Sequence, residues 1–211
     1  MSRVNSEQEA FWSGNFGNEY SERNSGQKAV AAKTFLYSRI LKWTKGDADV
    51  RSVLEFGSNI GLNLMALHHL LPDVELSAIE INSSAAAKLK QLGFMKHIYE
   101  QSLLDFKPDY QRDFVLCSGV LIHLDPEALP AAYELLYRSS KKYICLSVYY
   151  NPTPMEVPYR GQRNVLFKRD FAGEMLDRYS DLELVDYGFG YRRDPSSAAD
   201  DATWFLLRKK S

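Results

Sequence analysis

Glu55-Phe56-Gly57-Ser58-Asn59-Ile60-Gly61-Leu62 is the stretch whose residue types and spacing most directly suggest chemistry. Glycines let a ligand approach the main chain and let the backbone take turns that other residues resist. A helix opening after such a loop presents unpaired N–H groups that favour a negatively charged ligand group. A tight turn alone would also account for the glycines, so the weight falls on two acids. Glu55 stands two positions before Gly57, where a carboxylate can help hold an amino group or order water beside a cation. Glu80 lies nineteen residues beyond Gly61, near the spacing of about 20 that a βαβ unit imposes. A carboxylate at that place accepts hydrogen bonds from both hydroxyls of a ribose, the chemistry of adenosine-containing cofactors. Dinucleotide loops read G-x-G-x-x-G. This one reads G-x-x-x-G, with Asn59 in the middle and Leu62 where the last glycine would fall. Pyrophosphate would be poorly cradled, which disfavours a nicotinamide-dependent oxidoreductase and favours a methionine-derived cofactor.

Such residues need a scaffold that brings strand ends together. Ser52–Phe56 reads as a buried strand, Leu62–Leu71 as an apolar helix closed by Pro72, and Val74–Ile81 as a second strand. Ser83–Leu92 then reads as a helix ended by Gly93, followed by strands His97–Gln101 and Asp113–Gly119, a helix from Pro126 to about Tyr137, and a strand Tyr143–Tyr150. Strands alternating with helices in this way predict βαβ units and a parallel sheet covered on both faces. The rhythm breaks at Leu182–Gly188 and Thr203–Leu207, two strands joined by the polar loop Arg192–Asp201 with no helix between them, which predicts an antiparallel pair. Ala29–Trp43 reads as an amphipathic helix preceded by about 25 polar and aromatic residues. The expected fold is α/β, a doubly wound, mostly parallel seven-stranded sheet with a last antiparallel strand. Residues 1–50 would form an aromatic lid and helix, and residues 51–211 the sheet domain, with an insertion at 152–169.

Composition narrows the partners. The chain has 211 residues, 45% hydrophobic and 25% charged, which suits one globular domain. Twenty-six basic residues against 27 acidic ones leave a net charge of −1, so a polyanion such as nucleic acid is not an expected partner. Cys117 and Cys145 stand alone in apolar runs, which excludes a disulfide framework and a cysteine-rich zinc site. His68, His69 and His97 have no second ligand at a metal spacing, so no metal is expected. No apolar run approaches the ~20 residues of a membrane span. Met1–Tyr20 lacks an apolar signal core, so the expected location is cytoplasmic. Oligomeric state is left open.

At the glycine loop the chain resembles the Rossmann-like S-adenosylmethionine-dependent methyltransferases. Their first motif, E/D-x-G-x-G-x-G, is met by Glu55, Gly57 and Gly61 but not by Asn59. The resemblance runs from about Arg51 to Tyr150. It implies that Glu80, with Ile81 beside it, binds ribose, and that Gln101–Asp105 holds adenine. There Ser102 occupies the family's common aspartate position next to Leu103, leaving Asp105 or a backbone amide to take over. Leu116–His123 matches the fourth motif, whose strand end, at Gly119, runs alongside the methionine moiety. The implied cofactor is S-adenosyl-L-methionine, with S-adenosyl-L-homocysteine as its product. A narrower resemblance joins Phe11–Asn24 and VLEFGSNIGLNL to the methylases associated with pseudaminic acid biosynthesis. It implies a nonulosonic acid sugar, or its nucleotide-linked form, as the acceptor.

Ligands of open α/β sheets bind outside the carboxyl ends of the strands, which selects the remaining candidates. His123 is the candidate general base; alternatively it braces the turn where Asp125 caps the helix opened by Pro126. Tyr149, Tyr150 and Asn151 end the fifth strand facing the acceptor, Tyr149 as a catalytic candidate. The proline-rich insertion supplies Arg160 and Arg163 for a carboxylate or phosphate, unless their charges are merely solvated. Tyr20 and Arg23 are expected to touch the cofactor from the lid, Arg23 at its carboxylate, and Tyr191 borders the acceptor. The function expected is methyl transfer to oxygen or nitrogen of a small polar acceptor. The alternatives are a non-catalytic adenosine-binding or partner-binding module and, less favoured, a nicotinamide oxidoreductase.

Overall fold

The computed structural model describes residues 6–44, 50–194 and 201–210. Residues 195–200, most of the predicted polar loop, lie outside this set, as do 1–5 and 45–49 of the predicted lid and helix. Three helices come first: α1 (Glu7–Ser13), α2 (Asn15–Arg23) and α3 (Gln27–Leu41). The alternating unit follows as β1 (Ser52–Phe56), α4 (Leu62–Leu70), β2 (Glu75–Glu80), α5 (Ser83–Gln91), β3 (Met95–Glu100), β4 (Arg112–Ser118), α6 (Leu129–Ser139) and β5 (Ser140–Val148). The chain ends with a two-residue ribbon, β6 (Met155–Glu156) and β7 (Phe167–Lys168), then α7 (Phe171–Arg178), β8 (Leu182–Gly190) and β9 (Ala202–Lys209).

The seven-stranded sheet runs β3-β2-β1-β4-β5-β9-β8. The first five strands are mutually parallel, and β9 is antiparallel to both β5 and β8. Strand order reverses between β1 and β4, and a doubly wound sheet opens its ligand crevice at such a switch point.

Successive residues of a strand face opposite sides of the sheet, and β1 shows the consequence. Val53 packs in one core with Tyr37 and Ile40 of α3, Leu64 and Leu67 of α4, and Leu89 of α5. Leu54 and Phe56 pack in the other, with Leu129 and Leu136 of α6 and Phe171 and Met175 of α7. Glu55 therefore faces the α3–α4 side, beneath helices. Cys117 and Cys145 are free, buried, and in opposite cores.

Two elements escaped the sequence reading. In α7 an amphipathic face of barely two turns carries Gly173 in its middle, so its period is too short to register; Asp170 caps it by accepting from Gly173 N at 2.8 Å. The β6–β7 ribbon lies inside the basic insertion, where residues alternate over too few positions to read as strands. The fifth strand also begins directly after α6 and stops at Val148, which leaves Tyr149–Asn151 beyond its end.

Candidate active site

The carboxyl ends of β1, β2, β4 and β5 open into a cavity of about 700 Å³, with α1, α2 and α3 along its other side. Its volume is in the range of small-molecule sites. Gly57 borders it in a left-handed backbone (φ 72°), and a Cβ there would lie 2.4 Å from Val120 Cγ2. Gly57 N and Ser58 N both donate to Ile79 O, at 2.9 and 3.0 Å, tying the loop to β2. Gly61 caps α4 with Leu89 packed against it and does not border the cavity.

Glu80 ends β2 on the cavity wall. Its Oε2 accepts from Asn59 N at 2.6 Å and its Oε1 from Asn82 N at 2.7 Å. Burial raises its pKa, while the backbone donors at Asn82, Asn59 and Ile81 pull the other way. A carboxylate has about four acceptor directions, so these donors leave one open. Ile81, Ser102 and Leu103 border the same region. Ser102 caps a 3₁₀ turn, accepting from Leu104 N at 3.1 Å, and its hydroxyl donates to the Glu9 carboxylate of α1.

Glu55 is placed differently from the expectation. It is fully buried and does not border the cavity; Oε1 accepts from Asn63 Nδ2 at 2.6 Å. Burial pushes its pKa up to about 8, against the Asn63 hydrogen bond and the charge of Lys33, with Glu80 adding to the rise. Strand alternation turns this side chain under α4, where it positions the helix that follows the loop.

The segment expected to form a lid is two short helices bonded to the loops after β1, β2 and β3. A Cβ on Gly17 would lie 2.0 Å from Trp12 O, so only glycine permits this close approach of α2 to α1. Asn82 clasps the pair: its Nδ2 donates to Asn18 Oδ1 at 2.9 Å and lies 3.3 Å from Trp12 O, while its Oδ1 caps α5 by accepting from Ala85 N. Ser21 of α2 donates to Asn59 Oδ1 at 2.5 Å. Tyr20 and Arg23 both border the cavity. Tyr20 packs on Trp12 with ring centroids 5.2 Å apart, and Arg23 pairs with Glu19 at 3.3 Å.

His123 is buried on the cavity wall with Nδ1 2.6 Å from Val165 O. A carbonyl only accepts, so Nδ1 carries the proton and Nε2 the lone pair. Burial pulls its pKa down to about 4 against the Val165 hydrogen bond, which leaves the ring neutral. The ring lies between Trp12 of the lid and Tyr159 of the insertion, at centroid distances of 4.5 and 5.5 Å. The ring faces the cavity, and its hydrogen bond goes to the insertion rather than to the Asp125–Pro126 turn. Asp125 does cap the next turn, accepting from Glu127 N at 2.9 Å.

Tyr149 and Tyr191 border the cavity, whereas Tyr150, Asn151, Arg160 and Arg163 do not. Tyr150 packs outward on Phe205 at 6.0 Å, and Asn151 spends its amide on Thr153 O at 2.6 Å. Arg160 and Arg163 are exposed beside the tight Tyr159–Gln162 turn, which carries them away from the crevice; Tyr159 is the insertion's contribution. Residues missed in the sequence are Glu9, Ser21, Asn82 and the cavity-facing side of α3. Glu9 had a signal, since Ser6-x-x-Glu9 is a capping box, with Glu9 N on Ser6 Oγ at 3.2 Å and Ser6 N on Glu9 Oε2 at 3.0 Å. Among the described residues, no group of three or more His, Cys, Asp or Glu is placed to hold a metal ion, and no helix is long and apolar enough to cross a membrane.

A scan against models of protein families finds none that matches, and no curated protein matches the sequence. Solved structures match in fold. The magnesium protoporphyrin IX methyltransferase of Synechocystis, with SAM (S-adenosylmethionine) bound, is 12% identical with a TM-score of 0.69, covering 99% of this chain and 100% of that one. The 1,6-didemethyltoxoflavin N1-methyltransferase of Burkholderia thailandensis, with S-adenosylhomocysteine bound, is 15% identical with a TM-score of 0.69, covering 100% and 93%. The plantazolicin methyltransferase BpumL, in complex with SAH (S-adenosylhomocysteine), is 14% identical with a TM-score of 0.67, covering 97% and 94%. The chain thus has the fold of the Rossmann-like S-adenosylmethionine-dependent methyltransferases.

Proposed function

We propose that this chain transfers a methyl group from S-adenosylmethionine to oxygen or nitrogen of a small polar acceptor, with a nonulosonic acid sugar or its nucleotide-linked form as the favoured acceptor. The observation that carries the reading is Glu80, a carboxylate at the end of β2 on the wall of a small-molecule-sized cavity, beside a glycine loop. The residues present fit the cofactor. Glu80 keeps acceptor capacity for a ribose hydroxyl, Leu103 and Ile81 offer apolar surface to an adenine, and Gly119 has open space around its Cα where a methionine chain would run. The sugar assignment rests on the Phe11–Asn24 and VLEFGSNIGLNL segments.

When bound, the cofactor supplies a methyl carbon already activated by a sulfonium. The chain's own part is mainly to fix donor and acceptor in line, which can supply much of the acceleration. Trp12 and Tyr20 of the lid exclude water from the reacting atoms. His123 Nε2 accepts the proton of a hydroxyl acceptor while Val165 O holds the tautomer. Tyr149 orients the acceptor from the end of β5. An amine acceptor needs only its unprotonated form and this orientation.

Calorimetric titration with S-adenosylmethionine and S-adenosylhomocysteine tests the reading, and no binding of either at high micromolar concentration overturns it. A panel of amino sugars, phenols and nucleotide sugars, scored by released S-adenosylhomocysteine, separates an enzyme from a non-catalytic binding module.

A further inference from the structure

Helix α3 contains no acidic residue, and all three of its cations, Lys28, Lys33 and Arg39, border the cavity. A solvated helix face ordinarily mixes both signs of charge, with acids and bases paired at helical spacing. Here the cations are collected on the side that faces the crevice. Lys33 reaches inward far enough to act on the buried Glu55. Lys28 and Arg39 lie at the outer part, with the Arg39 guanidinium 6.0 Å from the centre of the Phe35 ring. The same cavity is bordered by Phe189 near the end of β8 and by Tyr191 and Arg192 just beyond it.

The outer wall is also unusually apolar for exposed surface. Phe35 is 40% exposed, Phe189 57% and Tyr191 49%, and all three border the cavity. Large exposed aromatic groups gathered around a concave opening mark a binding surface. The acids that border the cavity are elsewhere or engaged. Glu80 and Glu9 are buried at the inner end, bonded to Asn59 and Asn82 and to Ser102 respectively, and Asp194 is on the β8 side.

We propose that the α3 face and the end of β8 form the acceptor subsite, and that the acceptor is an anion, bearing a carboxylate or phosphate held by Arg39 beside Phe35, with an apolar or ring-shaped body against Phe35 and Phe189 and with Lys28, about three turns away on the same helix, adding positive charge to the cavity. This rests on the methyl-transfer reading and gives its acceptor a chemical class. It also moves the anion-binding role from Arg160 and Arg163, which lie outside the cavity, to the opposite side of the crevice. A guanidinium beside an aromatic face suits such a ligand, because charge and ring stacking act on adjoining parts of one molecule.

The test uses matched probes on the full chain saturated with S-adenosylhomocysteine: naphthoate against naphthamide, and naphthyl phosphate against naphthol. Wild-type protein binds at least one anion about tenfold more tightly than its neutral partner, and Lys28→Gln with Arg39→Gln removes that preference. The two anions tell a carboxylate site from a phosphate site. The affinity of the double variant for S-adenosylhomocysteine stays within about twofold of wild type, because these cations are assigned to the acceptor. Equal binding of the neutral probes, an unchanged preference in the double variant, or an equal loss of S-adenosylhomocysteine affinity overturns the assignment. If S-adenosylhomocysteine fails to bind the wild type, the methyl-transfer reading falls and the acceptor role falls with it, whatever the naphthyl probes do.

Discussion

The Ser21 hydroxyl donates to Asn59 Oδ1 at 2.5 Å, so the lid is bonded to the middle of the glycine loop. Asn59 stands where the resembling family has a glycine, and it keeps a left-handed backbone at φ 47°. Asparagine is among the few non-glycine residues that tolerate that conformation. The departure from the motif therefore keeps the loop's shape and adds a side chain that holds α2. Asn59→Gly should preserve the fold but loosen the lid by about 1 kcal/mol, the net worth of one hydrogen bond. Hydrogen exchange should quicken across residues 7–23, with little change in β1 and β2. Unaltered exchange in the lid would remove this role.

Glu80→Ala should weaken S-adenosylhomocysteine binding by roughly 1–3 kcal/mol, the cost of losing charged hydrogen bonds to ribose. It also removes acceptors from Asn59 N and Asn82 N. Glu80→Gln keeps an acceptor oxygen and should fall between the two in calorimetric titration. Wild-type affinity in Glu80→Ala would exclude a ribose contact.

Glu55 and His123 should leave opposite marks on stability against pH. The folded-state pKa of Glu55 is raised from 4.5 to about 8, so the folded chain holds a proton there that the unfolded chain has released. Its stabilising contribution is complete below about pH 4.5 and is lost as pH rises toward 8. His123 is lowered from 6.5 to about 4, so its effect runs the other way, with stability gained as pH rises from 4 to 6.5. Between pH 6.5 and 8 the Glu55 slope stands without the His123 one. Glu55→Gln, which can still accept from Asn63, should flatten urea-measured stability across that interval. An unchanged slope would mean that Glu55 is ionised in the folded protein.

His123→Gln should lower kcat for a hydroxyl acceptor by about 10² or more, at the low end for general bases because a base of depressed pKa draws protons weakly. S-adenosylhomocysteine affinity should stay near wild type, and an amine acceptor should be affected far less. For the hydroxyl acceptor, wild-type kcat/KM should fall as pH drops toward the His123 value of about 4. An equal loss for both acceptors would reduce His123 to a brace for Val165.

The amino-acid order alone determined the layered sheet. Its strands are continuous apolar runs because both faces are covered, and that pattern is local; so is the break at Leu182–Gly188 and Thr203–Leu207, which became β8 and β9. The positions of Gly57 and Glu80 on the cavity wall were legible because they depend on spacing within one βαβ unit. Tertiary packing decided the rest of the crevice. Glu55 turned under α4 because Leu54 and Phe56 claimed the opposite face. Arg160 and Arg163 left the crevice because their turn folds outward, while Lys28 and Arg39 entered it because α3 packs on α4 with its other side along the cavity. The long-range partners of Glu9, Ser21 and Asn82 lie 38 to 93 residues away, on α2 and the loops after β1 and β3. Contacts of that range have no period or motif in the chain, since they exist only once separate elements have been brought to the same end of the sheet.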